Sequence, residues 1–292
     1  MRIRKILLLG AVCAGIAVAA SAESRKAEIN EFNDPIYEIS AGYIPDSGFG
    51  SRERNESAVL EIGADWNIAF YRPSAGSEIE IGLKFSERTF FGKTWLSLPD
   101  QVAAIAVDLE WVAGYSGDKF FKLGFEPGIY SDLEDISGKS MFVPVSLSFG
   151  KKFRSDFSGE IGLQVRPQFD RQLIPLVGID WAITDKVEFE LAFPESRFDW
   201  YFGDGWNVNM CFMWDNVSYR LEGDTHDRGL ITFEEMRYSG GIGRRIASDL
   251  HIGVDVGRIA GRKVEFENAG GLERSIDVED ALFGRIFIAG PY

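Results

Sequence analysis

Residues 58–68 read Ala58-Val59-Leu60-Glu61-Ile62-Gly63-Ala64-Asp65-Trp66-Asn67-Ile68. The apolar residues Ala58, Leu60, Ile62, Ala64, Trp66 and Ile68 are separated by Glu61, Gly63, Asp65 and Asn67. Successive side chains of a β-strand point to opposite faces, so a period of two marks a strand with one apolar and one polar face. The reading recurs down the chain. Ile79, Ile81, Leu83 and Phe85 alternate with Glu78, Glu80, Gly82 and Lys84; Ile105, Val107, Leu109 and Trp111 alternate with Asp108 and Glu110. Phe121–Phe125, Ile161–Val165, Val187–Phe193 and Trp206–Trp214 repeat it. No helix of ten residues is expected beyond residue 35.

Working outward, the connections fall into two sets. Arg72–Ser77, Ser116–Lys119, Lys151–Asp156, Thr184–Lys186, Gly203–Gly205 and Arg244–Asp249 are short and turn-rich. Pro45–Glu56, Arg88–Asp100, Ser131–Ser140, Gly223–Arg228 and Glu267–Val278 tend to be longer. The two sets roughly alternate. Outer-membrane barrels have an even number of strands, short periplasmic turns and longer external loops. Counting through the alternation predicts an all-β fold: a single antiparallel up-and-down transmembrane β-barrel of about 14 strands over residues 36–292. One step, Pro194–Ser196, has to be an unusually tight hairpin on the long-loop side; without it the count is 12.

The N-terminus points to export. Arg2, Arg4 and Lys5 precede an apolar run, Ile6–Ala20, and Ala20-Ser21-Ala22 fits a small-x-small cleavage site. Residues 1–22 are therefore expected to be a signal peptide cut after Ala22, followed by a short polar lead-in over 23–35. The rest carries 28 Lys+Arg against 45 Asp+Glu, a formal charge of −17, which argues against nucleic acid as a partner. It holds one cysteine, Cys211, so no internal disulfide is expected. No other stretch approaches 18 consecutive apolar residues, but a barrel strand is apolar only on alternate positions and escapes a hydropathy average.

Period two alone does not separate a soluble β-sandwich from a barrel in lipid. Tryptophan placement favours the barrel. Trp66, Trp111 and Trp181 stand near strand ends that lead to short turns, and Trp200 and Trp206 flank Gly203–Gly205. They are expected to be interface aromatics, because indole rings prefer the membrane–water boundary. The last residues, Leu282, Gly284, Ile286, Ile288 and Tyr292, alternate up to a terminal aromatic, an ending that the barrel assembly machinery reads. The expected location is the outer membrane, with outer-membrane lipid and that machinery as partners.

Val217-Ser218-Tyr219-Arg220-Leu221, Glu235-Met236-Arg237-Tyr238 leading into Gly241–Arg245, and Gly257 through Arg262-Lys263-Val264-Glu265-Phe266 are the residues by which the chain resembles an uncharacterised family. It is a domain-of-unknown-function family of exported bacterial proteins regarded as outer-membrane-like β-barrels. The resemblance implies a fold and a location; it brings no activity and no catalytic residues.

Little in the chain suggests catalysis. There are two histidines. A Ser-His or Asp-His constellation needs one of them. His226 lies in Gly223-Asp224-Thr225-His226-Asp227-Arg228-Gly229, expected to be a solvated external loop, and His251 begins a strand near a short turn, where a structural role is expected. One imidazole beside Asp224 and Asp227 makes a weak metal set, so neither metal nor cofactor is expected. Glu78 with Glu80, Asp108 with Glu110, and Glu188 with Glu190 are carboxylate pairs that a polar barrel interior explains.

The polar face is the best functional clue. Its expected lumen-facing acids are Glu61, Asp65, Glu78, Glu80, Asp108, Glu110, Glu126, Glu160, Asp180, Glu188, Glu190, Asp199, Glu235 and Asp255. The bases are Lys84, Lys122, Arg166, Lys186, Arg197, Arg237 and Arg285, half as many. An open lumen so lined favours cations. A closed one makes the same residues a salt-bridged plug, with Glu235, Arg237 and Arg285 paired. The expected role is a non-enzymatic barrel, either a narrow porin-like channel passing small ions or solutes or a plugged structural barrel. A barrel transporter for small hydrophobic molecules, and a barrel enzyme with loop chemistry at His226, are the alternatives.

Overall fold

The computed structural model of the chain describes residues 37–48, 56–74, 76–92, 98–134, 136–221, 229–247, 250–267 and 273–290. The expected leader and lead-in, Tyr292, and the loop with Asp224, His226 and Asp227 lie outside the described residues.

Apart from a single 3-10 turn at Gly138–Ser140, the described regular structure is strand. The order is β1 (Tyr37–Gly48), β2 (Glu56–Ser74), β3 (Ser77–Phe91), β4 (Gln101–Ser116), β5 (Lys119–Phe125), β6 (Gly128–Ser131), β7 (Met141–Phe142), β8 (Val145–Arg154), β9 (Phe157–Val165), β10 (Leu173–Thr184), β11 (Val187–Phe193), β12 (Glu195–Phe202), β13 (Trp206–Arg220), β14 (Leu230–Ala247), β15 (Leu250–Glu267), β16 (Glu273–Val278) and β17 (Ala281–Gly290). β5 and β6 both pair with β4, and β16 and β17 both pair with β15, so each couple is one interrupted stave. β7 and β8, facing β6 and β5, form another. Pro127 and Pro144 cause two of the breaks: neither has an N–H to give the ladder, yet both carbonyls still accept from a neighbour at 2.9 Å.

The result is fourteen antiparallel staves, closed where β1 pairs with β17 from Tyr37↔Gly290 to Tyr43↔Gly284. The tight step is present: β11 ends at Phe193, β12 begins at Glu195, and Trp214 N–H donates to the Pro194 carbonyl at 2.9 Å. Several expected loops are partly strand. β3 runs on to Phe91, β14 to Ala247, and Glu273–Val278 within the expected Glu267–Val278 loop is β16.

The reason lies in two tiers. β2 has 19 residues and β14 and β15 have 18, whereas β9, β11 and β12 have 9, 7 and 8. Crossing the apolar layer takes about 9–11 residues of a tilted strand. One side of the barrel is therefore longer than such a span at the long-loop end. Arg88 on β3 reaches Asp215 on β13 and Glu235 on β14, staves that are not its neighbours, which fixes the inner face. In the lower tier, near the short turns, the outer face is apolar and open: Ile161 is 66% exposed, Val256 65% and Leu282 69%. In the upper tier the pattern inverts. On β13 the outward residues Trp206, Val208, Met210, Phe212 and Trp214 are apolar, but beyond them Val217 and Tyr219 face inward and Asn216 and Ser218 take the other face. On β14, Ile242 and Tyr238 point out while Phe233 and Ile231 are buried inside, with Thr232 and Glu234 opposite. The chain is an inside-out barrel below and a barrel with an apolar core above.

Candidate functional site

The upper core is a plug. Val102, Tyr130, Phe142, Phe169, Tyr219, Ile231, Phe233, Val264 and Ile276 form one buried cluster drawn from β4, β6, β7, β13, β14, β15, β16 and the β9–β10 connection. Its rings interlock, with Tyr130 stacked on Phe142 at 5.3 Å and Phe169 edge-on to both at 5.2 and 5.0 Å. Such pairs contribute roughly 0.5–1.5 kcal/mol each beyond area burial. The walls themselves meet here: Asp132 N–H donates to the Arg220 carbonyl at 3.2 Å, linking the end of β6 to the end of β13.

The plug also fills a gap in the wall. β11 and β12 are short, so β10 above Val177 loses its partner on that side, and β13 above Met213 has none there until Arg220 meets Ser131 of β6. Residues 166–172 occupy the space. Arg166 donates to the Asn216 carbonyl at 2.7 Å and to Asn216 Oδ1 at 2.8 Å, and Asp170 N–H donates to Ser218 Oγ at 3.1 Å. On the edge of β13 the Asn216 carbonyl is thus satisfied by a guanidinium rather than by a ladder, and the Arg220 carbonyl by the Asp132 N–H. Gln168 takes φ of 71°, a left-handed conformation unusual for a side chain other than glycine.

A charged layer lies beneath the plug. Arg88 pairs with Glu61 at 3.0 Å, Asp215 at 2.6 Å and Glu235 at 2.8 Å. Arg237 pairs with Glu61 at 2.5 Å and with Glu235, and Arg262 approaches Glu235 at 3.7 Å. Three guanidinium groups face three carboxylates, a balance that a dry site requires. Phe233 roofs the layer, with its ring 5.3 Å from the Arg88 guanidinium. The void beside these groups is about 10 Å³, no more than one water molecule occupies.

Lower down, the inner face carries separate pairs. Lys84 reaches Asp108 at 3.0 Å and Glu126 at 2.8 Å, and Lys122 reaches Glu160 at 3.0 Å. Arg285 reaches Asp255 at 2.6 Å and Glu38 at 3.2 Å. Asp65, Glu78, Glu80, Glu110, Asp180, Glu188 and Glu190 occupy the same face by register. Inner side chains lie flat against the wall: a Cβ on Gly253 would stand 2.2 Å from the Phe287 ring, and one on Gly150 2.1 Å from Phe120. At the short-turn mouth a cavity of about 370 Å³ is lined by Glu188, Tyr201, Asn207, Arg245 and His251 among others. His251 Nε2 is 2.9 Å from Asn207 Oδ1.

The structure brings together Glu61, Glu235 and Arg237 from the expected polar set, and adds Arg88, Asp215 and Arg262. Arg166 sits past the end of β9 in the wall gap rather than along a stave. Of the tryptophans, Trp111, Trp181 and Trp200 are exposed on the outer face near short turns, and Trp111 Nε1–H donates to Ser77 Oγ at 2.9 Å. Trp206 follows the Gly203–Gly205 turn under Arg244. Trp66 also points outward, but β2 continues to Ser74, so it stands mid-strand rather than at the edge. Sequence reasoning missed the plug aromatics. Their signal was the switch of apolar residues from even to odd positions within β13 and β14.

The COG4313 outer membrane channel from Pseudomonas putida F1 is similar at 9% identity over 92% of this chain and 100% of that one, with a TM-score of 0.42. The KdgM porin is similar at 8% identity over 87% and 99%, TM-score 0.35. The Pseudomonas putida toluene transporter TodX is similar at 9% identity over 90% and 91%, TM-score 0.33. No curated protein matches the chain. Residues 99–273, from just before β4 to the start of β16, match a family profile, and the chain belongs to that family, described as Domain of unknown function (DUF6268).

Proposed function

We propose that this chain is a non-enzymatic outer-membrane β-barrel whose acidic lumen opens toward the periplasm and is closed at the external end by the plug. The observation that carries the reading is the inversion of the apolar pattern at the Arg88–Glu235 layer. Below it, apolar side chains cover the outside, as lipid demands; above it they fill the inside, as water demands. A barrel standing with its long strands above the membrane and its core outside the lipid accounts for both. The buried layer of rings and paired charges supports the plugged reading over the open one. A narrow cation channel is the second reading, because the lower wall carries more carboxylates than amines and a shifted plug leaves that wall in the path. The apolar cluster packs ring on ring, with a void of only about 10 Å³ beside it among the described residues, and gives no support to a transporter of small hydrophobic molecules.

Cys211, on the inner face opposite Arg197, tests the lumen. The precursor, expressed in a Gram-negative host, is expected to fractionate with outer membrane. In nanodiscs Cys211 is expected to react with a cationic methanethiosulfonate about tenfold faster than with an anionic one, as an acidic lumen concentrates the cation. Recovery as a soluble periplasmic protein overturns the membrane reading. A folded, inserted protein whose Cys211 stays unlabelled overturns the open lower lumen.

A further inference from the structure

The outer wall beside the short turns holds two lysines side by side. Lys119 on β5 and Lys151 on β8 are direct cross-strand partners, on the outward face with Phe121, Phe149 and Leu147. Like charges opposite each other destabilise a sheet. Among the described residues neither lysine has an ion-pair partner to offset that cost. The chain as a whole has a net charge of −14, so the pair is a positive spot on an acidic protein. Its setting is aromatic. Lys151 Nζ stands 5.4 Å over the Phe153 ring, Phe153 is 57% exposed, and Phe157 links it to Trp181 at ring distances of 5.5 and 6.1 Å. An aromatic belt of this kind marks the membrane–water boundary, where headgroups lie.

We propose that Lys119 and Lys151 bind the phosphate of an acidic phospholipid in the leaflet that meets the short turns. The proposal rests on the membrane reading above. Opposed residues place two ammonium groups on one anion, and the exposed Phe149, Leu147 and Ile161 above them, toward the middle of the wall, offer an apolar surface to the acyl chains. A free anion in water gains the charges only, whereas a lipid gains both, so the lipid is the occupant that fits.

The test uses the full mature barrel in detergent, incubated with phosphatidylglycerol or phosphatidylethanolamine, with retained lipid read by native mass spectrometry. Wild type is expected to retain phosphatidylglycerol preferentially. The Lys119→Gln/Lys151→Gln variant is expected to lose that preference by a factor on the order of thirty, the share that two interfacial charges supply. Lys119→Arg/Lys151→Arg is expected to keep it. Lys139→Gln, at the long-loop end, is expected to change nothing. Equal retention by wild type and the Gln pair, or an equal loss in Lys139→Gln, overturns the site while leaving the barrel reading intact. Insertion into nanodiscs of zwitterionic lipid is measured alongside; failure of wild type to insert overturns the membrane reading and the site with it.

Discussion

Arg88→Met tests whether the charged layer is dry. Arg88 is 10% exposed at its side chain and holds three carboxylates, Glu61 at 3.0 Å, Asp215 at 2.6 Å and Glu235 at 2.8 Å. Methionine keeps an apolar stem against Phe233 and removes the charge together with the N–H donors to Asp215 and Glu235. Glu61 and Glu235 retain Arg237, but Asp215 has no other ion pair among the described residues. Removing one partner of a buried pair costs about 3–5 kcal/mol, whereas an exposed pair is worth about 1 kcal/mol or less. The expected loss is therefore about 3–5 kcal/mol, read as the shift of the urea unfolding midpoint in lipid vesicles. Arg88→Met/Asp215→Asn restores the balance, two guanidinium groups to two carboxylates, and is expected to recover most of the loss. A single-variant cost under about 1 kcal/mol, or costs that simply add in the double variant, refutes the dry layer and the plug built on it.

Two other changes bear on the plug and the wall. Arg166→Met leaves the buried Asn216 carbonyl without its guanidinium donor and frees residues 166–172; tryptic cleavage after Arg171 is expected to quicken about tenfold, from roughly 1–3 kcal/mol of lost hydrogen bonding, and an unchanged rate means the segment is held by other contacts. Gly253→Ala drives a Cβ to 2.2 Å from the Phe287 ring; a loss of about 1–3 kcal/mol is expected, relieved in Gly253→Ala/Phe287→Ala, and a silent Gly253→Ala contradicts the flat packing of inner side chains.

Much of the lower tier was legible in the sequence, because there one strand face is apolar and outward and the other polar and inward. Runs such as Ile79–Phe85 and Ile161–Val165 declare their faces by type alone, and even the hairpin at Pro194 followed from the alternation of short and long connections. The upper tier was harder to read. Phe90, Tyr130 and Phe142 fall in or beside segments rich in glycine, serine and charge that look like loops, and their pairing depends on staves far away in sequence. Phe169 lies in a connection whose place is set by the missing length of β11 and β12. Arg88 and Asp215 meet 127 residues apart in sequence, so no local pattern joins them.

The most direct measurement is single-channel recording of the purified mature protein in planar bilayers with a potassium chloride gradient. The account predicts stable insertion without conductance steps for wild type, and cation-selective steps once Phe142→Ala and Phe169→Ala together loosen the plug. Steady porin-sized steps from the wild-type protein contradict it.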